Sequence, residues 1–183
     1  MPRFTFENAT AITKQNFEEF NEKAKIDALQ EKLLNPDFLP TYEQVREAFT
    51  QDINREKQWD ENLWRKFTTN KERLVYEFFT EEYIDNLTEY FVERSNEYKV
   101  SQENPLVILE IGAGNGRLAY FLKKKLEEKK PVQIKVIATD SGEWNLKRDR
   151  DSFVEDLDYK EAMKKYKPSI VISSWMPYEK DFT

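Results

Sequence analysis

Apolar residues change their spacing near residue 105, and this change divides the chain into two parts. Up to about residue 104 they recur every three or four positions, as one face of an α-helix requires, and this part contains no glycine. We expect four or five amphipathic helices here. The apolar positions of the first two expected helices are Phe17, Phe20, Ala24 and Ala28, followed by Tyr42, Val45, Phe49 and Ile53.

Capping residues give the expected starts of these helices. A short polar side chain followed three positions later by Glu or Gln satisfies free N–H groups in the first helical turn. Thr80, followed by two glutamates, begins a helix that we expect to turn Tyr83, Leu87 and Phe91 inward. The capping spacing itself occurs at Asn16 with Glu19, at Thr41 with Gln44 and at Thr69 with Glu72.

After residue 104, continuous apolar runs alternate with amphipathic segments. The runs LVILEI (106–111) and IKVIATD (134–140) are typical of strands buried on both faces, and shorter runs at 154–158 and 169–175 bring the expected total to about four strands. Helices are expected from Arg117 to about Lys129, and from Asp158, which has capping spacing to Glu161, through Tyr166. This alternation predicts an α/β domain with a parallel sheet at 105–183, preceded by an all-α region at 1–104 that serves as a cap or an interaction surface.

The composition excludes several kinds of chemistry. The chain has no cysteine and no histidine, so thiol nucleophiles, disulfides and histidine bases are absent, and we expect no metal site. A net charge of -6 argues against a nucleic-acid partner, and the lysine-rich stretches at 123–125 and 164–165 are expected to be solvated helix faces. No apolar run is long enough to cross a membrane, and the start lacks the apolar core of a secretory signal. We therefore expect an intracellular, cytoplasmic protein without a membrane partner.

Three of the four glycines, Gly112, Gly114 and Gly116, directly follow the first expected strand and precede an expected helix. Such a turn places backbone N–H groups and the positive end of the helix at the carboxyl edge of a parallel sheet, where ligands bind. A dinucleotide fingerprint needs glycine or alanine at the sixth position of its motif, and counting from Gly112 that position is Arg117. The spacing therefore disfavours a dinucleotide.

The segment E-x-G-x-G-x-G from Glu110 to Gly116 resembles motif I of the class I S-adenosylmethionine-dependent methyltransferases. The resemblance covers about residues 105–178 and implies a Rossmann-like sheet with S-adenosylmethionine as the cofactor. It also implies that the three glycines let the backbone approach the amino acid and ribose parts of the cofactor, and that Glu110 positions the methionine ammonium. The alternative is a tight structural turn beside a solvated glutamate.

Acidic residues near the ends of the next two strands fit the same resemblance. It implies that Asp140 accepts hydrogen bonds from both ribose hydroxyls, which suits a carboxylate with its two acceptor oxygens; the alternative is a helix cap. Ser141 or Trp144 is expected beside the adenine, and for Trp144 a place in the core is the alternative. Asp158, or else Asp156, is expected at the adenine amine, and a role as a helix N-cap competes for Asp158.

The segment after the last expected strand corresponds to the part of that family that faces the transferred methyl group. Its residues Trp175, Pro177 and Tyr178 are expected to line an acceptor cavity, and the alternative for Trp175 is a plug at the edge of the sheet. The Asp/Asn/Ser-Pro-Pro-aromatic motif of amino-methylating members is not matched, because this chain has an extra residue and only one proline there. Neither the acceptor nor the catalytic residues follow from the sequence.

The expected function is thus that of a methyltransferase, or of the cofactor-binding half of one, whose acceptor stays open. The alternative is a noncatalytic subunit with a methyltransferase-like fold, which acts as a protein–protein interaction module in a larger assembly. The family's sheet has more strands than this chain supplies, so we expect a fragment, one half of a two-chain protein or a truncated relative. A protein partner is expected at the helical region or at the exposed edge of the last strand.

Overall fold

A computed structural model of the chain describes residues 21, 23–56, 75, 77–98, 100–129, 133–143 and 153–174. Five helices and four strands lie within these residues. In chain order they are α1 (23–33), α2 (Tyr42–Glu56), α3 (Glu81–Glu97), β1 (Leu106–Ile111), α4 (Arg117–Glu128), β2 (Ile134–Asp140), β3 (Val154–Asp156), α5 (Tyr159–Tyr166) and β4 (Ile170–Ile172). Several expected features lie outside the described residues, namely Phe17, Phe20, the capping pairs Asn16 with Glu19 and Thr69 with Glu72, Trp144, Trp175, Pro177 and Tyr178.

The four strands form one parallel sheet in the order β3, β2, β1, β4. β1 pairs with β2 over its whole length, where Ile111 lies opposite Thr139, and it pairs with β4 on its other side, where Glu110 lies opposite Ile172. The chain adds β2 and β3 on one side of β1 and then returns to add β4 on the other. The carboxyl end between β1 and β4 is therefore the topological switch point, the place where open α/β sheets bind ligands. The expected α/β class, with a Rossmann-like parallel sheet after a helical region, is confirmed.

Helices cover both faces of β1. On one face, apolar residues of α3 and α4, among them Phe91, form a core cluster with Ile108. On the other face, Ala162 of α5 packs in a cluster with Leu109. Consecutive residues of β1 thus enter two different cores, which explains why the strand is apolar without interruption. Glu110 is in phase with Ile108 and lies on the α4 side of the sheet.

The N-terminal helices have a core of their own. Leu33 of α1 and Ala48 of α2 belong to one buried cluster, whereas Ile84 of α3 packs with Leu118 and Phe121 of α4. α3 therefore packs directly on the sheet domain. The division of the chain into units at 1–104 and 105–183 stays a prediction.

Three helix starts follow the sequence pattern. The Thr41 N–H donates to the Gln44 side chain at 2.9 Å, and the Gln44 N–H donates to the Thr41 hydroxyl at 3.2 Å. Thr80 accepts from the backbone of α3, and Asp158 accepts from the backbone of α5. Each bond satisfies an N–H group that the first turn of a helix leaves without a partner. These caps could be predicted because they depend only on neighbours in the sequence.

Two expectations of inward-facing side chains are wrong, since Tyr42 is 59% exposed and Tyr83 is 47% exposed. Both tyrosines lie in the first turn of their helices. The starts of α2 and α3 meet there through polar contacts, because the Glu81 N–H donates to the Pro40 carbonyl and the Tyr42 N–H donates to the Glu82 carboxylate. About half of each tyrosine side chain is exposed there.

The last two strands are shorter than expected. β3 ends at Asp156, because Asp158 begins the following helix, and β4 ends at Ile172. β4 is an edge strand of the described sheet, and its Val171 is 39% exposed. A protein partner at this edge or at the helical region stays a prediction. Among the helices that the structure describes, none combines the length and apolar character needed to cross a membrane.

Candidate functional site

The glycine turn (112–116) connects the end of β1 to the start of α4 at the switch point, and its three glycines all have positive φ angles. At Gly114 φ is +55°, and a Cβ atom would meet nothing within 4 Å, so the turn is open on this side. At Gly116 φ is +71°, and a Cβ atom would lie 2.4 Å from Cγ2 of Val154. Gly114 therefore leaves space on the open side of the turn, whereas Gly116 lets β3 pack closely against it.

Asp140, the last residue of β2, lies beside this turn. Its Oδ2 accepts a hydrogen bond from the Gly114 N–H at 2.9 Å, and its Oδ1 accepts one from the Gly142 N–H at 2.8 Å. A carboxylate oxygen can accept two hydrogen bonds, so these two contacts do not by themselves exhaust the acceptor capacity of Asp140. The half-buried carboxylate fixes the turn and is placed at its edge, while the ribose contact stays a prediction.

Glu110 is fully buried at the carboxyl end of β1. Its Oε2 accepts from the Ala119 N–H at 3.0 Å, and its Oε1 accepts from the Ser174 hydroxyl at 2.8 Å. The N-cap residue of α4 is Gly116, which has no side chain to cap the helix, and Glu110 takes over this role for Ala119. The glutamate is thus not solvated. One carboxylate connects β1, α4 and the residues that follow β4.

Burial raises the pKa of the Glu110 carboxyl from its ordinary value of 4.5 to about 7. Removal from water disfavours the charged form, and the carboxylates of Glu77 and Asp140 act in the same direction. The hydrogen bonds from Ser174 and Ala119 oppose this rise, because they stabilise the ionised form. Glu110 therefore changes its charge near neutral pH.

The helical region brings further titratable groups towards Glu110. Burial raises the pKa of Glu77, which lies just before α3. Burial also raises the pKa of the Tyr83 hydroxyl, and the charges of Glu77 and Glu110 raise it further. Glu77 and Tyr83 therefore lie near enough to Glu110 for their charges to interact with it. Sequence reasoning missed both groups, since it placed Tyr83 in the core and found no pattern around Glu77.

Arg117, only 3% exposed, holds the loop between α1 and α2 against α4. Its guanidinium donates to the Asn35 carbonyl at 3.1 Å and to the Phe38 carbonyl at 2.6 Å, and it lies 5.5 Å from the centre of the Phe121 ring. The planar fork of arginine suits two acceptors at once, and its weak hydration suits burial on an aromatic ring. The side chain of Arg117, at the sixth position of the motif, thus binds the helical region.

Two backbone N–H groups at the start of α4 donate hydrogen bonds to side chains of the protein itself. The Arg117 N–H donates to Oδ1 of Asn115 at 3.1 Å, and the Ala119 N–H donates to Glu110. A dinucleotide needs such N–H groups for its pyrophosphate, and a neighbouring carboxylate repels that anion. The geometry therefore favours a ligand that is neutral or cationic next to the turn.

The remaining expected residues have different surroundings. Ser141 is exposed after β2, and Asp156 is exposed at the end of β3. Oδ1 of Asp158 accepts from the Lys160 N–H at 2.9 Å, so the competing role as an N-cap is observed, and an adenine contact stays a prediction for either aspartate. Within the ranges of the chain that are described, no group of three metal-binding side chains comes together.

Ser174 is a site residue that the sequence reasoning missed. It was included in the last expected strand, but it lies two residues beyond the end of β4 and contacts Glu110. The available signal was a pair of serines directly after an apolar run. That signal becomes meaningful only when β4 is known to lie beside β1.

Comparisons with models of protein families, with curated proteins and with solved structures give no match. No family membership is therefore assigned to the chain. Its function is inferred from the motif in the sequence and from the geometry of the switch point.

Proposed function

We propose that the chain is an S-adenosylmethionine-binding methyltransferase, or the cofactor-binding half of one. The observation that carries this proposal is the pair of carboxylates that flank the glycine turn at the switch point, Glu110 bonded to the start of α4 and Asp140 bonded to Gly114. S-adenosylmethionine carries a sulfonium and an ammonium beside a ribose with two hydroxyls. Acidic groups at this position suit both the cationic groups and the hydroxyls.

The residues proposed to hold the cofactor come from three strand ends. Gly112, Gly114 and Gly116 allow its close approach, and Asp140 binds the ribose, while Ser141 and Asp158 remain candidates on the adenine side. When bound, S-adenosylmethionine supplies an activated methyl group. Bringing an acceptor into line with that group is the main task of the protein, so the absence of histidine is compatible with the reaction. The acceptor class stays open, and Trp175, Pro177 and Tyr178 are proposed to line its cavity.

A dinucleotide-dependent oxidoreductase is the less favoured assignment. Arg117 stands where the fingerprint needs a small residue, and its side chain is buried against the loop between α1 and α2. Two of the N–H groups at the start of α4, those of Arg117 and Ala119, are already bonded to Asn115 and Glu110.

One observation favours a second candidate, a noncatalytic methyltransferase-like subunit that acts as a protein-interaction module. Both oxygens of Glu110 are bonded to the chain itself, and the residue is fully buried. If its role is only to cap α4, the turn has a structural purpose without a ligand. The protein partner would then bind at the helical region or at the edge of β4. A cytoplasmic location is proposed for both candidates.

Calorimetric titration with S-adenosylmethionine separates the two candidates. The proposed methyltransferase is expected to bind with a dissociation constant below about 1 mM. NAD serves as the matched control, because it also contains an adenosine but carries a pyrophosphate, and it is expected not to bind. The absence of any S-adenosylmethionine binding at millimolar concentration would contradict the methyltransferase proposal and leave the noncatalytic subunit.

A further inference from the structure

The two hydrogen bonds of Glu110 are chemically different. The Ala119 N–H can only donate, so it needs an acceptor at Oε2 whatever the charge of the carboxyl group. The Ser174 hydroxyl can either donate or accept. A proton on Glu110 is therefore best placed on Oε1, where Ser174 can reverse its hydrogen bond and accept it. Ser174 is the partner that accommodates both charge states.

These contacts form a path from the end of one strand to the glycine turn. Ser174 follows β4 and donates to Oε1 of Glu110, which lies on the neighbouring strand β1. Oε2 of the same carboxylate holds Ala119 in the first turn of α4, whose N-cap is Gly116. The position of the start of α4 therefore depends on the Glu110 carboxylate, and Ser174 holds that carboxylate through its other oxygen.

We propose that Ser174 is a positioning residue of the cofactor site, which acts through Glu110 to hold the glycine turn in the geometry that binds the amino acid end of S-adenosylmethionine. The inference rests on the function proposed above. It gives a residue outside motif I a role in cofactor affinity without direct contact with the cofactor. It also connects that affinity to the segment that leads to Trp175, Pro177 and Tyr178, which are proposed to line the acceptor cavity.

The charge of Glu110 then controls the affinity. The ionised carboxylate accepts both hydrogen bonds strongly and attracts the cationic cofactor, whereas the protonated form offers Ala119 a weaker acceptor and no charge. Because its pKa is about 7, affinity is expected to fall as the pH falls through neutrality. Among the described residues, the titratable groups that act on or respond to Glu110 are Glu77 before α3, Tyr83 on α3 and Asp140 at the end of β2.

The test measures S-adenosylmethionine affinity by calorimetry between about pH 5.5 and 8.5, the range that spans the Glu110 titration. Ser174→Ala removes the bond that lowers the pKa of Glu110, so near neutral pH it is expected to bind about fivefold more weakly, with the midpoint of its pH profile at higher pH. Ser174→Thr keeps a hydroxyl and is expected to restore both the affinity and the midpoint of the pH profile to the wild-type values. Ser169→Ala is the matched control, because Ser169 is exposed and lies just before β4.

The ammonium of the cofactor also titrates in this range, but it is the same in every variant, so differences between variants report on Glu110. A carbon-13 NMR titration of the Glu110 carboxyl without ligand, assigned with Glu110→Gln, is expected to show the same upward shift in Ser174→Ala and its reversal in Ser174→Thr. Equal affinities and midpoints for wild type, Ser174→Ala and Ser169→Ala overturn this inference and leave the proposed function intact. No binding by the wild type overturns the proposed function, and this inference with it.

Discussion

Arg117 donates a hydrogen bond to the carbonyl oxygen of Phe38 at 2.6 Å, although 79 positions separate the two residues. The same guanidinium bonds to the Asn35 carbonyl. The loop between α1 and α2 is thereby joined to the residue that directly follows the glycine turn. A buried cation, in addition to apolar packing, connects the helical region to the candidate site.

Replacing Arg117 by Ala is expected to lower the free energy of unfolding by about 2–4 kcal/mol, because two carbonyl groups lose their donor. Arg117→Lys is expected to cost less, since it keeps the charge but not the planar fork. Urea denaturation measures both. The control is Arg46→Ala, which removes an exposed ion pair with Glu43 and is expected to change stability by at most about 0.5 kcal/mol. Equal effects at Arg117 and Arg46 would refute the structural role of Arg117.

Alanine at Gly116 is expected to destabilise the fold more than alanine at Gly114. Both changes place a side chain at positive φ, at a cost of about 1 kcal/mol, but only at Gly116 does the added Cβ lie 2.4 Å from Val154. Overpacking adds about 1–3 kcal/mol. Thermal unfolding checks the ranking, and the double variant Gly116→Ala with Val154→Ala should recover part of the loss. A double variant no more stable than Gly116→Ala alone would contradict this explanation.

Asp140→Ala is expected to weaken S-adenosylmethionine binding more than tenfold. A hydrogen bond to a charged group is worth about 1.5–3 kcal/mol, and the substitution also releases Gly114 from the position that the carboxylate fixes. Calorimetric titration gives the affinity. Glu143→Ala, an exposed carboxylate three positions further along the chain, changes the net charge equally and should leave the affinity near the wild-type value. Similar losses in both variants would point to general charge rather than to a ribose contact.

Glu110→Gln is expected to stabilise the protein relative to the wild type at alkaline pH. Between pH 4.5 and about 7 the folded state keeps a proton at Glu110 that the unfolded state releases, so the contribution of this group to stability decreases as the pH rises through that window. Gln keeps an acceptor for Ala119 and carries no charge. The stability of Glu110→Gln minus that of the wild type should therefore rise between about pH 5 and pH 8, by up to about 3 kcal/mol. Denaturant titrations at both pH values measure this difference, and a value independent of pH would contradict it.

Asp158→Ala distinguishes the observed helix cap from a contact with adenine. Loss of the bond to the Lys160 N–H is expected to lower stability by about 1 kcal/mol, whereas Asp158→Asn retains a capping oxygen and should lose less. If capping is the role of Asp158, neither variant changes S-adenosylmethionine affinity by more than about twofold. A large loss of affinity with little loss of stability would assign Asp158 to the adenine instead.

The sequence predicts the features that depend on neighbouring residues. The bounds of β1 and β2 agree with the apolar runs, and the caps at Thr41, Thr80 and Asp158 agree with the local spacing. The position of the glycine turn is predicted correctly. A buried strand precedes it and an amphipathic helical segment follows it, so it must connect a strand to a helix. Periodicity and capping are local properties, and a single chain contains all the information they need.

The contacts that define the site depend on strand order, which the same local patterns do not determine. Alternating runs predict a parallel sheet, but they do not say that β4 lies beside β1, and without that knowledge Ser174 has no visible connection to Glu110. Arg117 was informative in the sequence only as a mismatch to a fingerprint. Its contacts lie in a loop far away along the chain, and only the packing of α1 and α2 reveals them.

The position of β4 beside β1 has a consequence for the order in which the site forms during synthesis. The bond between Asp140 and Gly114 spans 26 positions, whereas the bond between Ser174 and Glu110 spans 64. A longer loop costs more chain entropy to close, and a nascent chain emerges from its N-terminus. The contact between Asp140 and Gly114 can therefore form on the ribosome before Ser174 reaches Glu110. The contact between Ser174 and Glu110, the carboxylate that holds the start of α4, would then form after the contact between Asp140 and Gly114.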